Sequence, residues 1–288
     1  MTTSIAEAIL QGAHQLRQAD VPEARREAGS LLAYLLERDR SFILAHAEDA
    51  ISEEQSQRFR EYLERRAEGE PLQYITGHQE FFGLDFEVTP DVLIPRPETE
   101  LLIETALDLF RSSDKDIFIC DVGTGSGCIA ITLLHELQPA RAVAIDISPA
   151  ALAVAKRNAA RHATSERIDF VLSDCFAALN TQDPLQFNLI VSNPPYVEEG
   201  TIEGLQREVR KFEPRVALAA GIDGLAIIRR LLLEAAGFLS TGGYLLFEIG
   251  FAQAAAVERL IDPKIWRRLA FHKDLQGIER TVALQKLS

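Results

Sequence analysis

The sequence is poor in cysteine, and it contains neither a long apolar run nor a metal-binding motif. Its three cysteines, Cys120, Cys128 and Cys175, form no Cys-x-x-Cys pair, and no His-Glu-x-x-His occurs. Three separated thiols cannot build a disulfide framework or a structural metal site, so we expect no metal and a reducing, cytoplasmic setting. No run of about 18 apolar residues exists, and the N-terminus lacks a basic segment before an apolar block, so neither a membrane span nor a signal peptide is indicated.

Positive charge is also scarce. The formal net charge is -13 and the isoelectric point is near 5.0. Tight, sequence-independent binding to phosphate backbones usually needs a basic surface. This charge balance argues against a nucleic-acid substrate and favours a protein partner that is itself basic where it makes contact.

The first 70 residues are predicted to be helical. Apolar residues recur near the helical period, as at Ile5, Ile9, Ala13 and Leu16. Ser52-Glu53-Glu54-Gln55 has the pattern of a capping box that begins a further helix. We therefore expect residues 1–70 to form a small helical bundle. No catalytic motif occurs in it, although it is a candidate substrate-binding domain.

The pattern changes over residues 71–95. Leu84, Phe86 and Val88 alternate with acidic residues after a glycine, which predicts a β-hairpin that links the bundle to a second domain. Two prolines follow and favour a helix start, so we expect a helix over 98–110.

Residues 96–288 have the alternating pattern of an α/β domain. Apolar runs that predict strands alternate with alanine-rich helical segments. This order predicts a Rossmann-like, mostly parallel sheet with helices on both faces. The last two runs have no crossover helix between them, so they are expected to pair as an antiparallel edge. The predicted strands are 117–122, 142–147, 168–172, 189–192, 244–249, 269–272 and 281–284.

The first two strands of this domain end in residues that suit a nucleoside cofactor. A glycine-rich turn after the first strand can bring backbone N–H groups close to a ligand, and Asp146 after the second can accept both ribose hydroxyls. Each has an alternative interpretation, namely a glycine turn without a ligand and a carboxylate that caps the next helix. The candidate loop residues are Gly123, Thr124, Gly125, Ser126 and Gly127.

The third strand is followed by Asp174, Cys175 and Phe176. Asp174 is a candidate acceptor for an adenine amine, and Phe176 is a candidate to lie against the adenine ring. A loop acid and a core aromatic are the alternative interpretation, and the sequence favours neither.

The fourth strand ends in Asn193-Pro194-Pro195-Tyr196, which carries the most specific signal. The prolines stiffen the loop, remove two N–H donors and leave carbonyl acceptors. The Asn193 oxygen and the Pro194 carbonyl can both accept from an NH₂ group, while Tyr196 offers a flat face to a planar amide or base. This predicts a device that orients a planar nitrogen for in-line transfer. An ordinary Asn-Pro-Pro turn is the alternative.

From Pro71 to its end, the chain resembles the peptide chain release factor glutamine methyltransferases, with the helical domain agreeing in kind. The Asn-Pro-Pro-Tyr tetrapeptide is the hallmark of methyltransferases that act on planar nitrogens. The resemblance is carried by segments spread over this whole region. They are 73–77, 80–83, 93–100, 123–127, 146–148, 192–196, 212–214, 221–225, 247–250 and 274–280.

The resemblance implies methyl transfer from S-adenosylmethionine to the glutamine of a Gly-Gly-Gln motif in release factors, with S-adenosylhomocysteine as product. It implies that the cofactor contacts Gly123 to Gly127 and Asp146, and that Cys175 lies beside the adenine, where the family often has Trp. It also implies that Asn193 contacts both glutamine and cofactor, and that Pro194, Pro195 and Tyr196 complete the glutamine pocket. We expect a monomer.

Three other functions stay open at this point. A related glutamine methyltransferase that modifies a ribosomal protein shares the glycine loop and the tetrapeptide, although Pro-Glu-Thr-Glu after Arg96 is more like the release-factor enzymes. A nucleic-acid amine methyltransferase would need a basic approach surface, which the charge disfavours. A binding module without activity would not require the glycine loop, Asp146 and Asn193 together.

Overall fold

The computed structural model describes residues 3–111, 116–179 and 185–287. The chain forms two compact units, Met1–His78 with Gln206–Phe212 and Gln79–Leu205 with Glu213–Ser288. Within the described ranges, no helix has both the length and the apolar character needed to cross a membrane.

The first unit is built from short amphipathic helices. Ser52 caps the fourth helix, and its hydroxyl accepts from the Gln55 N–H while the Gln55 side chain accepts from the Ser52 N–H, so the predicted capping box is present. The apolar faces of the helices, including Leu16, Leu31 and Phe59, pack into one core. The helices of the N-terminal stretch are α1 (Ile5–Gln18), α2 (Ala24–Leu35), α3 (Arg40–Ala45), α4 (Glu53–Ala67) and α5 (Leu72–Thr76).

A buried arginine joins three helices of this unit. Arg66 is only 3% exposed; its guanidinium binds the Glu27 carboxylate and lies 2.9 Å from Glu208 Oε2. A buried charge is tolerated where it is paired, and here both partners are acidic. Glu208 belongs to α9 (Arg207–Phe212), so a segment distant in sequence completes the helical unit.

The second unit contains a β-hairpin-like pair of strands and a seven-stranded sheet. The pair is β1 (His78–Phe81) and β2 (Leu84–Glu87), followed by a 3₁₀ turn (Pro97–Thr99) that leads into a helix. The large sheet comprises β3 (Ile117–Val122), β4 (Ala140–Asp146), β5 (Ile168–Leu172), β6 (Phe187–Ser192), β7 (Leu239–Glu248), β8 (Trp266–Lys273) and β9 (Glu279–Lys286). The remaining helices are α6 (Glu100–Phe110), α7 (Cys128–Glu136), α8 (Pro149–Arg161), α10 (Ala226–Glu234) and α11 (Ala254–Glu258).

The order of the strands places a ligand-binding crevice at the middle of the sheet. The order is β5-β4-β3-β6-β7-β9-β8, and the first five strands are parallel while β9 is antiparallel to both β7 and β8. Strands are added on one side of β3 up to β5 and on its other side from β6 onward, so the strand order reverses between β3 and β6. Ligands bind at such switch points, beyond the carboxyl ends of the strands. The predicted α/β sheet with an antiparallel edge is confirmed.

The two faces of the sheet are covered by different helices. Along β3, Ile117 and Ile119 face the core formed with α6, α7 and α8, whereas Cys120 and Val122 face the core formed with α10. Because successive strand residues point to opposite faces, the near-continuous apolar run of β3 fits a strand buried on both sides.

Strand β7 begins five residues before the predicted strand. The segment Ser240-Thr241-Gly242-Gly243 has the composition of a turn, and it lies inside β7 as an irregularity: Leu239 pairs with Phe187 of β6 and Tyr244 with Leu189, so the register shifts between them. A Cβ on Gly243 would lie 3.1 Å from the Phe187 carbonyl oxygen and 3.2 Å from that of Asn188. The Ser240 carbonyl oxygen would lie nearer still, at 2.9 Å, so this glycine is needed where the irregular segment folds back on itself and approaches the backbone of β6.

Replacing Thr132 with valine should stabilise the protein. Thr132 lies on α7 and is 0% exposed, and its hydroxyl has no hydrogen-bond partner among the described residues. Removing a buried, unsatisfied hydroxyl while keeping the branched shape should raise the free energy of unfolding by about 1 kcal/mol. Urea denaturation would measure it. Thr105→Val is the matched control, because Thr105 Oγ1 donates to the Leu101 carbonyl at 2.7 Å and should show no comparable gain. Equal effects in the two variants would contradict the argument.

Candidate active site

The buried carboxylate of Asp121 holds the glycine loop after β3 in place. Asp121 Oδ2 accepts from Thr124 Oγ1 at 2.7 Å and from the Ala130 N–H at 3.2 Å, so it ties the loop to the start of α7. Asp121 is 0% exposed, and this burial raises its pKa to about 7. The amide of Asn158 also holds the loop by donating to the Ser126 carbonyl at 2.8 Å.

The open side of this loop fits a close-lying ligand. Gly123 and Gly125 have φ angles of 75° and 56°, and a Cβ on either would meet no protein atom within 4 Å. In contrast, a Cβ on Gly127 would lie 2.8 Å from Ile131, because Gly127 packs against the protein. The loop therefore has one face against the core and another face towards a cavity of about 250 Å³. Gly123, Thr124, Gly125 and Ser126 all line this cavity.

Asp146 ends β4 beside the loop. Its Oδ2 accepts from the Gly125 N–H and its Oδ1 from the Ser148 N–H, both at 2.9 Å. Burial raises its pKa, while these N–H donors lower it. A carboxylate has about four acceptor positions, so room remains for two ligand hydroxyls. Ser148 itself caps α8, since its hydroxyl accepts from the Ala151 N–H at 3.2 Å, and Asp146 is not needed for that role.

The structure separates the three candidates that follow β5. Asp174 lines the cavity, but its Oδ1 accepts from Arg230 at 2.5 Å. Cys175 also lines the cavity, and burial raises its thiol pKa to about 11, so it offers an uncharged wall. Phe176 stacks on Phe238 in the core with ring centroids 5.1 Å apart and is absent from the described lining of the cavity.

The Asn193-Pro194-Pro195-Tyr196 loop follows β6 and opens on the same cavity. Asn193, Pro194 and Pro195 are among the lining residues. The Tyr196 side chain is held by Glu248, because the Tyr196 hydroxyl donates to Glu248 Oε1 at 3.2 Å. Its carbonyl accepts from Gln253 Nε2 at 3.0 Å, and Gln253 Oε1 accepts from the Gly250 N–H at 2.8 Å. The loop is thus fixed in place before any ligand binds.

Two further polar residues, Thr99 and Glu248, join the site; both lie in segments that carry the family resemblance, but the sequence analysis gave neither of them a role. Thr99 lines the cavity and accepts a hydrogen bond from Asn193 Nδ2 at 3.0 Å. Glu248 is 2% exposed, and burial raises its pKa to about 7. A glutamate at the end of the apolar run 244–249 was the available signal, since a buried acid requires partners.

The described residues contain no group of three or more His, Cys, Asp or Glu side chains placed to hold a metal ion. The cavity instead combines a glycine loop, a strand-end carboxylate and a loop of acceptors. This combination suits a nucleoside-containing cofactor on one side and a planar nitrogen group on the other.

Comparisons with known proteins agree with this geometry. Residues 7–77 match the model of the PrmC N-terminal domain, and residues 98–209 match that of the methyltransferase small domain. A solved methyltransferase from Pyrococcus furiosus shares the fold, with a TM-score of 0.51 and 16% identity, covering 72% of this chain and 91% of that one.

Curated relatives match over almost the whole chain. The release factor glutamine methyltransferase of Koribacter versatilis is 43% identical over 94% of each chain. That of Nitratidesulfovibrio vulgaris is 42% identical over 97% of this chain and 96% of its own. At this identity and coverage, with the tetrapeptide at the end of β6 and the glycine loop at the end of β3, the chain belongs to the release factor glutamine methyltransferase family.

Proposed function

We propose that this protein transfers a methyl group from S-adenosylmethionine to the side-chain amide nitrogen of the glutamine in the Gly-Gly-Gln motif of peptide chain release factors, and so modulates translation termination. The observation that carries the proposal is the arrangement around one cavity: Asn193 and Pro194 line the same space as Gly123, Gly125 and Asp146. Family membership supports the choice of a glutamine over a nucleobase.

The cofactor side of the cavity would hold S-adenosylmethionine through residues of three strand ends. Asp146 would accept the ribose hydroxyls, the open face of the glycine loop would lie against the nucleoside, and Cys175 would border the adenine. S-adenosylmethionine supplies an electrophilic methyl group on a sulfonium and leaves as S-adenosylhomocysteine.

The residues of the protein would orient the substrate amide nitrogen rather than supply a strong base. An amide nitrogen is a poor nucleophile because its lone pair is delocalised into the carbonyl. The Asn193 oxygen and the Pro194 carbonyl would accept from the substrate NH₂ and hold the nitrogen against the methyl group. In the transfer the nitrogen would gain the methyl group and lose one proton to solvent. No His or Lys lies among the described residues that line the cavity, so no side chain there is assigned as a general base.

The proposed substrate is a protein. The proposed enzyme is a monomer that acts in the cytoplasm. The net charge of -13 supports a basic protein surface over a phosphate backbone as the partner. The helical N-terminal domain and the strands β1 and β2 are the proposed grip on the release factor.

Mass spectrometry of a purified release factor after incubation with this protein and S-adenosylmethionine tests the proposal. We expect one added methyl group, located by fragmentation on the glutamine of Gly-Gly-Gln. A release factor with that glutamine replaced by alanine is the control and should gain none. If the unaltered release factor gains no methyl group although the cofactor binds, the proposed substrate is wrong, and ribosomal proteins become the next substrates to test.

A further inference from the structure

Three polar side chains, Thr99, Glu248 and Tyr196, form a hydrogen-bond network beside Asn193, and Thr99 also lines the cavity. Asn193 Nδ2 donates to Thr99 Oγ1 at 3.0 Å, and Thr99 Oγ1 donates to Glu248 Oε2 at 2.6 Å. The other carboxylate oxygen, Oε1, accepts from the Tyr196 hydroxyl at 3.2 Å. Thr99 and Glu248 are each 2% exposed, so the hydrogen bond between these two side chains is shielded from solvent.

The number of hydrogens on these side chains determines which atom donates and which accepts in each hydrogen bond of the network. A threonine hydroxyl has one hydrogen, and an ionised carboxylate only accepts, so the Thr99 hydrogen points to Glu248. The Thr99 oxygen can then only accept from Asn193. If the Asn193 amide were reversed, two oxygens would face each other with no hydrogen between them, inside the protein, where an unsatisfied polar group is costly.

The hydrogen-bond network therefore determines which end of the Asn193 amide faces the cavity. We propose that Glu248 is a positioning residue that acts through Thr99 to turn the Asn193 oxygen towards the substrate, so that the site selects an NH₂ group over a carboxylate. This inference rests on the proposed function, because the group selected is the amide of a glutamine. A glutamate has nearly the same shape but carries only acceptors, and it would meet the Asn193 oxygen without a hydrogen.

This direction requires Glu248 to be ionised. Burial raises its pKa to about 7; the hydrogen bonds from Thr99 and Tyr196 and the charge of Arg280 lower it, while Glu98 raises it. Above this pKa the carboxylate accepts two O–H groups, as the geometry requires. Burial and the neighbouring carboxylate also raise the pKa of Tyr196, which therefore keeps its proton and remains a donor.

Substrate preference tests the proposal in a way that a merely structural role would not affect. The measurement is the Kd of a release factor carrying Gly-Gly-Gln and of one carrying glutamate instead, with S-adenosylhomocysteine present. The wild-type protein should prefer glutamine by about 100-fold, the effect of leaving one buried polar group without a hydrogen-bond partner. Thr99→Val, which removes the hydroxyl but keeps the shape, should reduce this preference at least about tenfold. Thr99→Ser keeps the hydroxyl and should keep the preference.

Thr132→Val is the matched control, since it removes a buried hydroxyl that lies in the same unit but outside the hydrogen-bond network. It should leave the preference unchanged. A Thr99→Val protein that loses affinity for both release factors equally, and so keeps the wild-type preference, would overturn the proposal.

Neutron diffraction from deuterated wild-type crystals at about pH 8, above the pKa of about 7 to which burial raises Glu248, tests the hydrogen-bond network without any substrate. We expect two deuterium atoms on the Asn193 atom nearest to Thr99, and one between Thr99 and Glu248. An oxygen facing Thr99 would overturn the proposal. This result stands even if Thr99→Val does not fold, or if release factors gain no methyl group, so failure here is distinct from failure of the proposed function.

Discussion

Replacing Asn193 with alanine should lower the turnover number for methyl transfer by about 100- to 1000-fold, the range seen when one preorganised polar group is removed from an active site. The reason is the weakness of the amide as a nucleophile. Asn193 lines the cavity and is held by Thr99, so its oxygen is fixed before the substrate arrives. Without it, the substrate NH₂ keeps only the Pro194 carbonyl as an acceptor, and its nitrogen is no longer aimed at the methyl group.

Single-turnover kinetics and cofactor titration together check this prediction. The Kd for S-adenosylmethionine should change by less than about tenfold, since one neutral hydrogen bond contributes little net binding energy. Asn188→Ala is the control: Asn188 lies on β6, the strand that Asn193 follows, and its oxygen accepts from the Phe118 N–H at 2.8 Å, so its loss should affect stability but not turnover. A near-normal turnover number in Asn193→Ala, with the cofactor bound, would refute catalysis by orientation.

The sheet was predictable because its strands carry two independent signals. Buried parallel strands such as β3 have continuous apolar runs, and glycine or proline loops follow them at the carboxyl ends. The early start of β7 was not predictable, since Ser240 to Gly243 have the composition of a turn. Only the close contacts of Gly243 with the carbonyls of Ser240, Phe187 and Asn188 show why glycine is needed there. The pairing of Glu208 with Arg66 was also hidden, because the two residues are far apart in sequence.

At the site, the sequence predicted the residues that adjoin the ligands better than those that hold them. Asp146 and Asn193 stand directly at strand ends, where parallel-sheet geometry requires a site. Phe176 had two possible roles, and its stacking on Phe238 depends on a residue 62 positions later in the sequence. Thr99 and Glu248 meet Asn193 only after α6 and β7 are in place, so their partnership is a property of the fold and not of any local motif.

Replacing Asp146 with alanine should weaken binding of S-adenosylmethionine by about 100-fold or more, equivalent to about 3 kcal/mol. Two losses combine. The ribose hydroxyls lose a charged acceptor, and the Gly125 and Ser148 N–H groups lose the carboxylate that accepts from both at 2.9 Å. The open face of the glycine loop is then no longer held in register with the end of β4. Isothermal titration calorimetry would measure the change in Kd.

Two further variants separate these losses. Asp146→Asn keeps one oxygen but exchanges the other for an NH₂ group, which cannot accept from Gly125 or Ser148, so its Kd should fall between those of the wild type and alanine variants. Asp169→Ala removes an exposed carboxylate from the neighbouring strand β5 and should leave the Kd unchanged. If Asp146→Ala bound the cofactor as tightly as Asp169→Ala does, Asp146 would be only a structural ligand of the loop, and the ribose would have to be recognised elsewhere in the cavity.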